Sequence, residues 1–149
     1  ILQIKTPDVR FFNSKQADEK GINAIFKKED NIIAFNENWI ENVENNMEIM
    51  ITCFHESRHA FQYQVIKGHY KGSETVSKDT INLWKSEFSQ YHTPTGVKKN
   101  DKEYLFQDIE IDAIAFAHFQ IKKLCNAKSI IPDSIASEVT LKLSYFNGV

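Results

Sequence analysis

Residues 47–66 read MEIMITCFHESRHAFQYQVI, and the rest of the predicted fold is organised around this stretch. Its apolar residues are nearly continuous, which predicts a long helix that is buried on most of its sides. The Asn45-Asn46 pair offers an N-cap, and Gly68 marks the expected end of the helix. Polar groups on a buried helix must be satisfied. Here they recur at helical spacing along one stripe, namely Thr52, His55, Glu56, His59 and Gln62.

Within that stripe, His55-Glu56-Ser57-Arg58-His59 forms an H-E-x-x-H motif. Positions i and i+4 of a helix lie on the same face, so the two imidazoles can bind one metal ion. Zinc hydrolases use two such histidines, a third protein ligand, an open position for water and a carboxylate base. The motif therefore predicts a zinc site at His55 and His59, with Glu56 as the catalytic carboxylate. The alternative is a helix that carries two histidines on its surface.

The third zinc ligand must come from outside the motif. The extended H-E-x-x-H-x-x-G-x-x-H pattern is absent, because Gln62 occupies the position of its glycine. A buried helix is predicted over residues 104–125, and a lone carboxylate on it needs a cation, so we favour Glu110. Asp112 lies about 200° around that helix from Glu110, and both cannot face the metal equally. The candidates that stay open are Glu110, Asp112, His69, His92 and His118.

The segments around the motif predict a mixed α+β fold. Residues 23–27 and 32–36 are short apolar runs on either side of a polar turn, which predicts a β-hairpin. Before it, residues 1–13 predict a short extended segment or strand, and residues 14–20 a loop. The remaining expected helices cover residues 78–91, 104–125 and 132–146, with a short helix or turn at 39–43 and loop at 93–96 and 98–100. We expect the hairpin to pack on the motif helix as a small sheet.

Composition is typical of a single globular domain. The 149 residues are 42% apolar and 26% charged, which suits one domain over residues 1–149. A formal net charge of -2 gives no general reason to bind nucleic acid, and no apolar run could span a membrane. Cys53 and Cys125 form no C-x-x-C pair, which argues against a thiolate zinc site and indicates a reducing cytoplasm. Since the chain begins at Ile1, we expect it to be excised or trimmed from a longer protein.

Together the motif and the second helix resemble the gluzincin class of zinc metallopeptidases, in which a Glu on a following helix, commonly Glu-x-x-Ala, completes the site. Here His55, Glu56 and His59 match the motif, and Glu110 with Ala113 matches the second helix. The compact size is similar to that of the minigluzincins and of small metallopeptidases carried by bacteria, phages and mobile elements. The resemblance rests on a few positions between residues 24 and 117, and it implies a zincin-like fold with an edge strand beside the motif helix.

The resemblance implies hydrolysis of a peptide or protein substrate at zinc held by His55, His59 and Glu110. Glu56 would activate the bound water and return its proton to the leaving amine. An alternative is a non-catalytic zinc-binding or regulatory module on the same fold. The intact Glu56 argues against that alternative, as does the lack of a fourth, closing ligand.

Substrate contacts are less well determined by the sequence. The substrate would lie extended and pair by β-augmentation with the strand around Ile33, Ala34 and Phe35. A donor that stabilises the oxyanion is also expected. Arg58 is expected to pair with a structural carboxylate rather than to take part in the reaction. The candidates for the oxyanion donor are Tyr91, His92 and Tyr104.

Overall fold

The computed structural model describes residues 2–97 and 101–147, and within them a small sheet comes first and helices follow. The predicted α+β class is confirmed. The predicted loop at 98–100 lies outside the described residues. No helix in the described part of the chain is long and apolar enough to cross a membrane. In order, the elements are β1 (Asp8–Phe12), α1 (Lys15–Glu19), β2 (Ala24–Lys27), β3 (Ile32–Asn36), α2 (Glu37–Asn42), α3 (Asn46–Ile66), α4 (Lys78–Ser89), α5 (Lys102–Leu105), α6 (Asp108–Cys125) and α7 (Ala136–Asn147), the last preceded by a 3-10 turn at Asp133–Ile135.

The sheet has the order β1-β3-β2, with β3 in the centre. The predicted hairpin is confirmed, because β2 and β3 pair antiparallel with Ala24 opposite Phe35. Its turn places Asn31 at φ 53°, a left-handed conformation that Asn tolerates. On the other side of β3, β1 pairs in parallel. Consequently β1 and β2 are the edge strands, and β2 is the one that packs beside α3.

The hydrogen-bond alternation along β2 determines which of its backbone groups are free. The Asn36 N–H donates to the Asn23 carbonyl at 2.9 Å, so these two residues form a hydrogen-bonded pair. Such pairs alternate with non-hydrogen-bonded pairs along an antiparallel ladder. In the observed register, Ile25 therefore bonds to β3, whereas Ala24 and Phe26 direct their N–H and C=O groups to the free edge.

Helix α3 has the predicted ends but not the predicted burial. The Asn45 side chain accepts a hydrogen bond from the Met47 N–H at 2.9 Å, and Gly68 follows the helix at φ 69°. The second half of α3 is enclosed by α4 and α6, where the core contains Phe61 and Trp84. The first half is less covered, and Met50 is 37% exposed. The expectation of burial on most sides is therefore correct only for the second half.

Two local predictions are wrong. The predicted helix over residues 104–125 is interrupted, since Gln107 is extended and α6 begins at Asp108. The Glu87 carboxylate of α4 accepts hydrogen bonds from the first two N–H groups of α6 at 2.9 and 3.0 Å, so a tertiary contact caps this helix. In addition, the predicted loop at 14–20 contains the short helix α1. Its N-cap is Ser14, whose side chain accepts a hydrogen bond from the Ala17 N–H.

Candidate metal centre

Helices α3 and α6 pack together and bring the three favoured ligands to one point. His55 and His59, one turn apart on α3, hold their Nε2 atoms 3.0 Å apart. On α6, the Glu110 carboxylate approaches the Nε2 of His55 to 3.3 Å and the Nε2 of His59 to 3.2 Å. Both histidines also line a cleft of about 670 Å³. The group therefore combines two nitrogens and a carboxylate at the wall of an open cleft.

The spacing of these atoms fits a bound metal ion. Around a tetrahedral ion with ligand bonds of about 2.0–2.1 Å, the donor atoms lie about 3.3 Å from one another. The separation of the two imidazole nitrogens is close to that value, and so is the distance from each nitrogen to its nearer Glu110 oxygen, which is Oε2 for His55 and Oε1 for His59. Moreover, the buried Glu110 Oε2 has no hydrogen-bond partner among the described residues. A buried carboxylate oxygen without a donor is costly, and a cation at this point would satisfy it.

Opposite charges dominate the electrostatics of the group. Burial, the largest single influence, would lower the pKa of His59, but the charge and hydrogen bond of Glu110, together with Glu56 and Gln62, outweigh it and raise this pKa to about 9. Conversely, burial alone would raise the pKa of Glu110, but the two imidazoles outweigh it and hold this pKa well below its usual range. Glu110 is therefore ionised at neutral pH, as a metal ligand must be.

A hydrogen bond from the His59 ring to Gln62 orients the ring. The Gln62 Oε1 lies 2.9 Å from His59 Nδ1. The Gln62 Nε2 donates to the Ile109 carbonyl at 2.9 Å and to Asp112 at 2.8 Å, so Oε1 must be the acceptor. The Nδ1 of His59 consequently carries a proton, and its Nε2 lone pair is the one available to a metal.

Behind Gln62, a buried ion-pair network ties α3 to α6. The Arg58 Nε and Nη2 donate to the two oxygens of Asp112 at 2.7 and 3.2 Å. The same guanidinium donates to both oxygens of Glu74 at 2.9 and 2.6 Å. The predicted structural role of Arg58 is confirmed. The Asp112 oxygens accept from Arg58 and Gln62 and are not part of the ligand group. Asp112 instead supports His59 indirectly, because it holds the Gln62 side chain that accepts from the His59 ring.

Glu56 lies in the same cleft, beside the two histidines. Burial raises the pKa of its carboxyl, and the opposing charges of the imidazoles only reduce this shift. The backbone N–H of Phe26, on the free edge of β2, lies toward the carboxylate and partly offsets the rise of its pKa. The carboxylate of Glu56 thus lies between β2 and the three candidate ligands His55, His59 and Glu110, which together are called the metal group below.

Tyr91 and Tyr104 also line the cleft. The Tyr91 hydroxyl donates to Glu110 Oε1 at 2.7 Å, and Tyr104 lies close enough for the charge of the same carboxylate to act on it. Burial, and then the charge of Glu110, raise the pKa of both phenols, so both remain protonated donors. The third candidate, His92, has an exposed ring 3.8 Å from Glu103 and does not line the cleft.

One predicted contact requires correction. The segment containing Ile33, Ala34 and Phe35 was expected to pair with a substrate, but β3 is bonded on both sides and these residues are buried. A strand with both edges paired cannot accept a third. The free edge beside the metal group belongs to β2, whose residues line the cleft.

The unselected ligand candidates lie elsewhere. His69 is exposed, and the His118 ring contacts the Ser129 hydroxyl and is not among the three convergent ligand residues. Sequence reasoning had placed Gln62 on the polar stripe but missed its role, although its i+3 spacing from His59 was a usable signal. Glu74 had no such signal, because it lies in an irregular segment and reaches Arg58 only through the fold.

No known protein family, curated protein or solved structure matches this chain. The functional interpretation therefore depends on the geometry of its own residues.

Proposed function

We propose that this chain is a zinc-dependent peptidase. The proposal is carried by one observation: His55, His59 and Glu110 converge at 3.0–3.3 Å beside the buried carboxylate of Glu56, in an open cleft. Structural zinc sites are usually closed by four protein ligands, frequently thiolates, whereas catalytic sites use three and leave a position for water. Two nitrogens and one carboxylate form a ligand set of the catalytic kind.

The residues around the group are suited to move one proton. When bound, zinc supplies a Lewis acid that polarises a carbonyl and acidifies a water. The Glu56 carboxylate would accept the proton of that water and deliver it to the leaving nitrogen of the peptide. Its raised pKa brings it closer to neutral pH, where a group serves best as both acceptor and donor. The Tyr91 hydroxyl would hold Glu110 in place, and a tyrosine that donates to the oxyanion would have to turn its single proton away from that carboxylate.

The substrate would bind as an additional strand. Ala24 directs its N–H and C=O to the free edge of β2, and Phe26 directs its C=O there. The Phe26 N–H is already used by Glu56, so a paired peptide would lie directly beside the catalytic carboxylate. An extended peptide that runs antiparallel to β2 therefore suits this cleft.

Metal content and peptide cleavage together test the proposal. The wild type, purified without metal and then given zinc, should hold about one zinc per chain by elemental analysis. His59→Ala and Glu110→Ala should lose it. With a mixed peptide library followed by mass spectrometry, Glu56→Gln should cleave at least about a hundred-fold more slowly than wild type while keeping its zinc. Glu48→Gln, an exposed charge removal on the same helix, is the matched control and should behave as wild type.

Three results would refute parts of the proposal in different ways. A wild type that binds no zinc would contradict the metal site. A wild type that binds zinc but cleaves no peptide would favour the non-catalytic zinc-binding module. A Glu56→Gln variant that cleaves peptides at the wild-type rate would contradict the role of Glu56 as the proton acceptor.

A further inference from the structure

The two faces of β2 differ in what they contact. Phe26 faces α3, where its ring lies 6.3 Å from that of Tyr63. Ile25 and Lys27 point the other way, and both are exposed while lining the cleft. Ile25 is 39% exposed, an unusual position for an apolar side chain on a strand edge. Among the described residues, the Lys27 ammonium has no hydrogen-bond or ion-pair partner. The outer face of β2 therefore presents an unpaired apolar side chain and an unpaired cation, two positions apart.

We propose that the cleft selects peptides in which an acidic side chain lies two residues before an apolar one. This inference rests on the pairing of a peptide with β2 that is part of the proposed function. In an antiparallel pair, a step forward on one strand is a step back on the other. The peptide residue opposite Lys27 is therefore two positions earlier than the residue opposite Ile25. The side chains of these two peptide residues lie on the same face of the sheet as Ile25 and Lys27.

The positions of Ile25 and Lys27 in the ladder between β2 and a bound peptide strengthen the preference for an acidic residue opposite Lys27. Ile25 and Lys27 use their N–H and C=O groups toward β3, so opposite a peptide they occupy non-hydrogen-bonded positions. Directly opposed Cα atoms are closer in such pairs, about 4.5 Å against about 5.5 Å, and the side chains interact more strongly. Opposite charges across a strand pair are favourable and like charges unfavourable. An acidic residue is thus favoured opposite Lys27, and a basic one is disfavoured.

Other charged side chains also line the cleft. The Lys28 ammonium donates to the Phe88 carbonyl at 2.8 Å, so it is held in place by a contact that Lys27 lacks among the described residues. The Asp101 carboxylate is held likewise, by the N–H and the hydroxyl of Thr95 at 2.7 and 2.6 Å. The lysines that line the cleft are Lys20, Lys27 and Lys28, and the carboxylates are Glu56 and Asp101. Lys27 is therefore the cation on β2 whose side chain is free to meet an acidic residue of the peptide.

Binding to an inactive, zinc-loaded chain tests the inference without requiring cleavage. The probes are fluorescein-labelled decapeptides with the cores Glu-Thr-Leu, Lys-Thr-Leu and Glu-Thr-Ser in identical Gly/Ser flanks, titrated against Glu56→Gln by fluorescence anisotropy. We expect the Glu-Thr-Leu peptide to bind roughly five-fold more tightly than either of the others. Adding Lys27→Glu should reverse the preference between the Glu and Lys peptides. Lys85→Glu, the same charge change at an exposed position outside the cleft, should leave it unaltered.

The outcomes separate this inference from the proposed function. Equal affinities for the three peptides, no binding, or a preference that Lys27→Glu leaves unchanged would overturn the inference even if wild type cleaves peptides. Reversal of the preference by Lys27→Glu would support it even if wild type cleaves none, and in that case only the peptidase proposal would fail. Where cleavage occurs, the wild-type library profile should show the acidic enrichment, and Lys27→Glu should replace it with a basic one.

Discussion

Removal of the Arg58 guanidinium should destabilise the chain more than any surface substitution. Arg58 is 2% exposed and makes four hydrogen bonds to carboxylates, two of them to Asp112, itself 3% exposed. In Arg58→Met the unbranched side chain can still fill the space against the Phe61 ring, which lies 4.1 Å from the guanidinium. What remains is a buried carboxylate with no cation. Breaking a buried pair in this way costs about 3–5 kcal/mol.

A cost of that size is a large share of the stability of a single domain, which is about 5–15 kcal/mol. For a chain of this length it corresponds to a fall in Tm of roughly 10 °C. The assay is urea unfolding followed by circular dichroism, in the presence of EDTA so that metal binding does not contribute. The double variant Arg58→Met/Asp112→Leu should recover much of the loss, because it removes the uncompensated charge as well.

The contribution of the second carboxylate is smaller. The Glu74 side chain is 30% exposed, so Glu74→Gln should cost about 1 kcal/mol or less. A loss below about 1 kcal/mol for Arg58→Met, or strictly additive losses for Arg58→Met and Asp112→Leu, would refute the assignment of a buried charge network.

Three further predictions concern the metal group and the free edge. Gln62→Leu should weaken zinc binding about 10- to 100-fold in competition with a chelating indicator, since His59 loses the acceptor that orients it, whereas His69→Gln should have no effect. Without metal, in EDTA, the pKa of His59 in the folded chain is about 9, against 6.5 for a free imidazole. The ion pair of His59 with Glu110 therefore contributes its full stabilisation below pH 6.5, and this stabilisation is lost as the pH rises through 9. Urea unfolding should therefore show a stability lower by about 3 kcal/mol at pH 9.5 than at pH 6.5, and no decrease would contradict the charge assignment. Ala24→Pro removes only an N–H at the free edge of β2, so it should lower kcat/KM about ten-fold without changing Tm. Ile25→Pro instead breaks a hydrogen bond to β3 and should lower Tm. If Ala24→Pro lowered Tm and Ile25→Pro did not, the assignment of bonded and free backbone groups along β2 would be wrong.

Local sequence signals predicted the elements that depend on local interactions. Helix α3 was predictable because its apolar periodicity, its Asn45 cap and its end at Gly68 each depend on residues that are close together in the sequence. The hairpin of β2 and β3 was predictable for the same reason, because both strands and their turn lie within a short segment. The Ser14 cap of α1 was also a readable signal that was not used.

Apart from α1, the features that were wrongly predicted depend on distant contacts. The break before α6 exists because Glu87, about twenty residues earlier, supplies acceptors to the first N–H groups of that helix. The identity of the free edge depends on β1, which pairs in parallel with β3 and leaves β2 outermost. Parallel pairing joins segments separated by a long connection, and no short-range pattern indicates it.

For the metal group, the sequence by itself determined the two histidines and the carboxylate beside them, because the i, i+4 geometry of one helix places His55, Glu56 and His59 without any other part of the chain. Only the tertiary structure decided between Glu110 and Asp112. Both carboxylates are on the same helix and both are buried, so composition and periodicity could rank them but not separate them. The packing of α6 on α3 directs one toward the imidazoles and the other toward Arg58, since the two project from opposite sides of one helix.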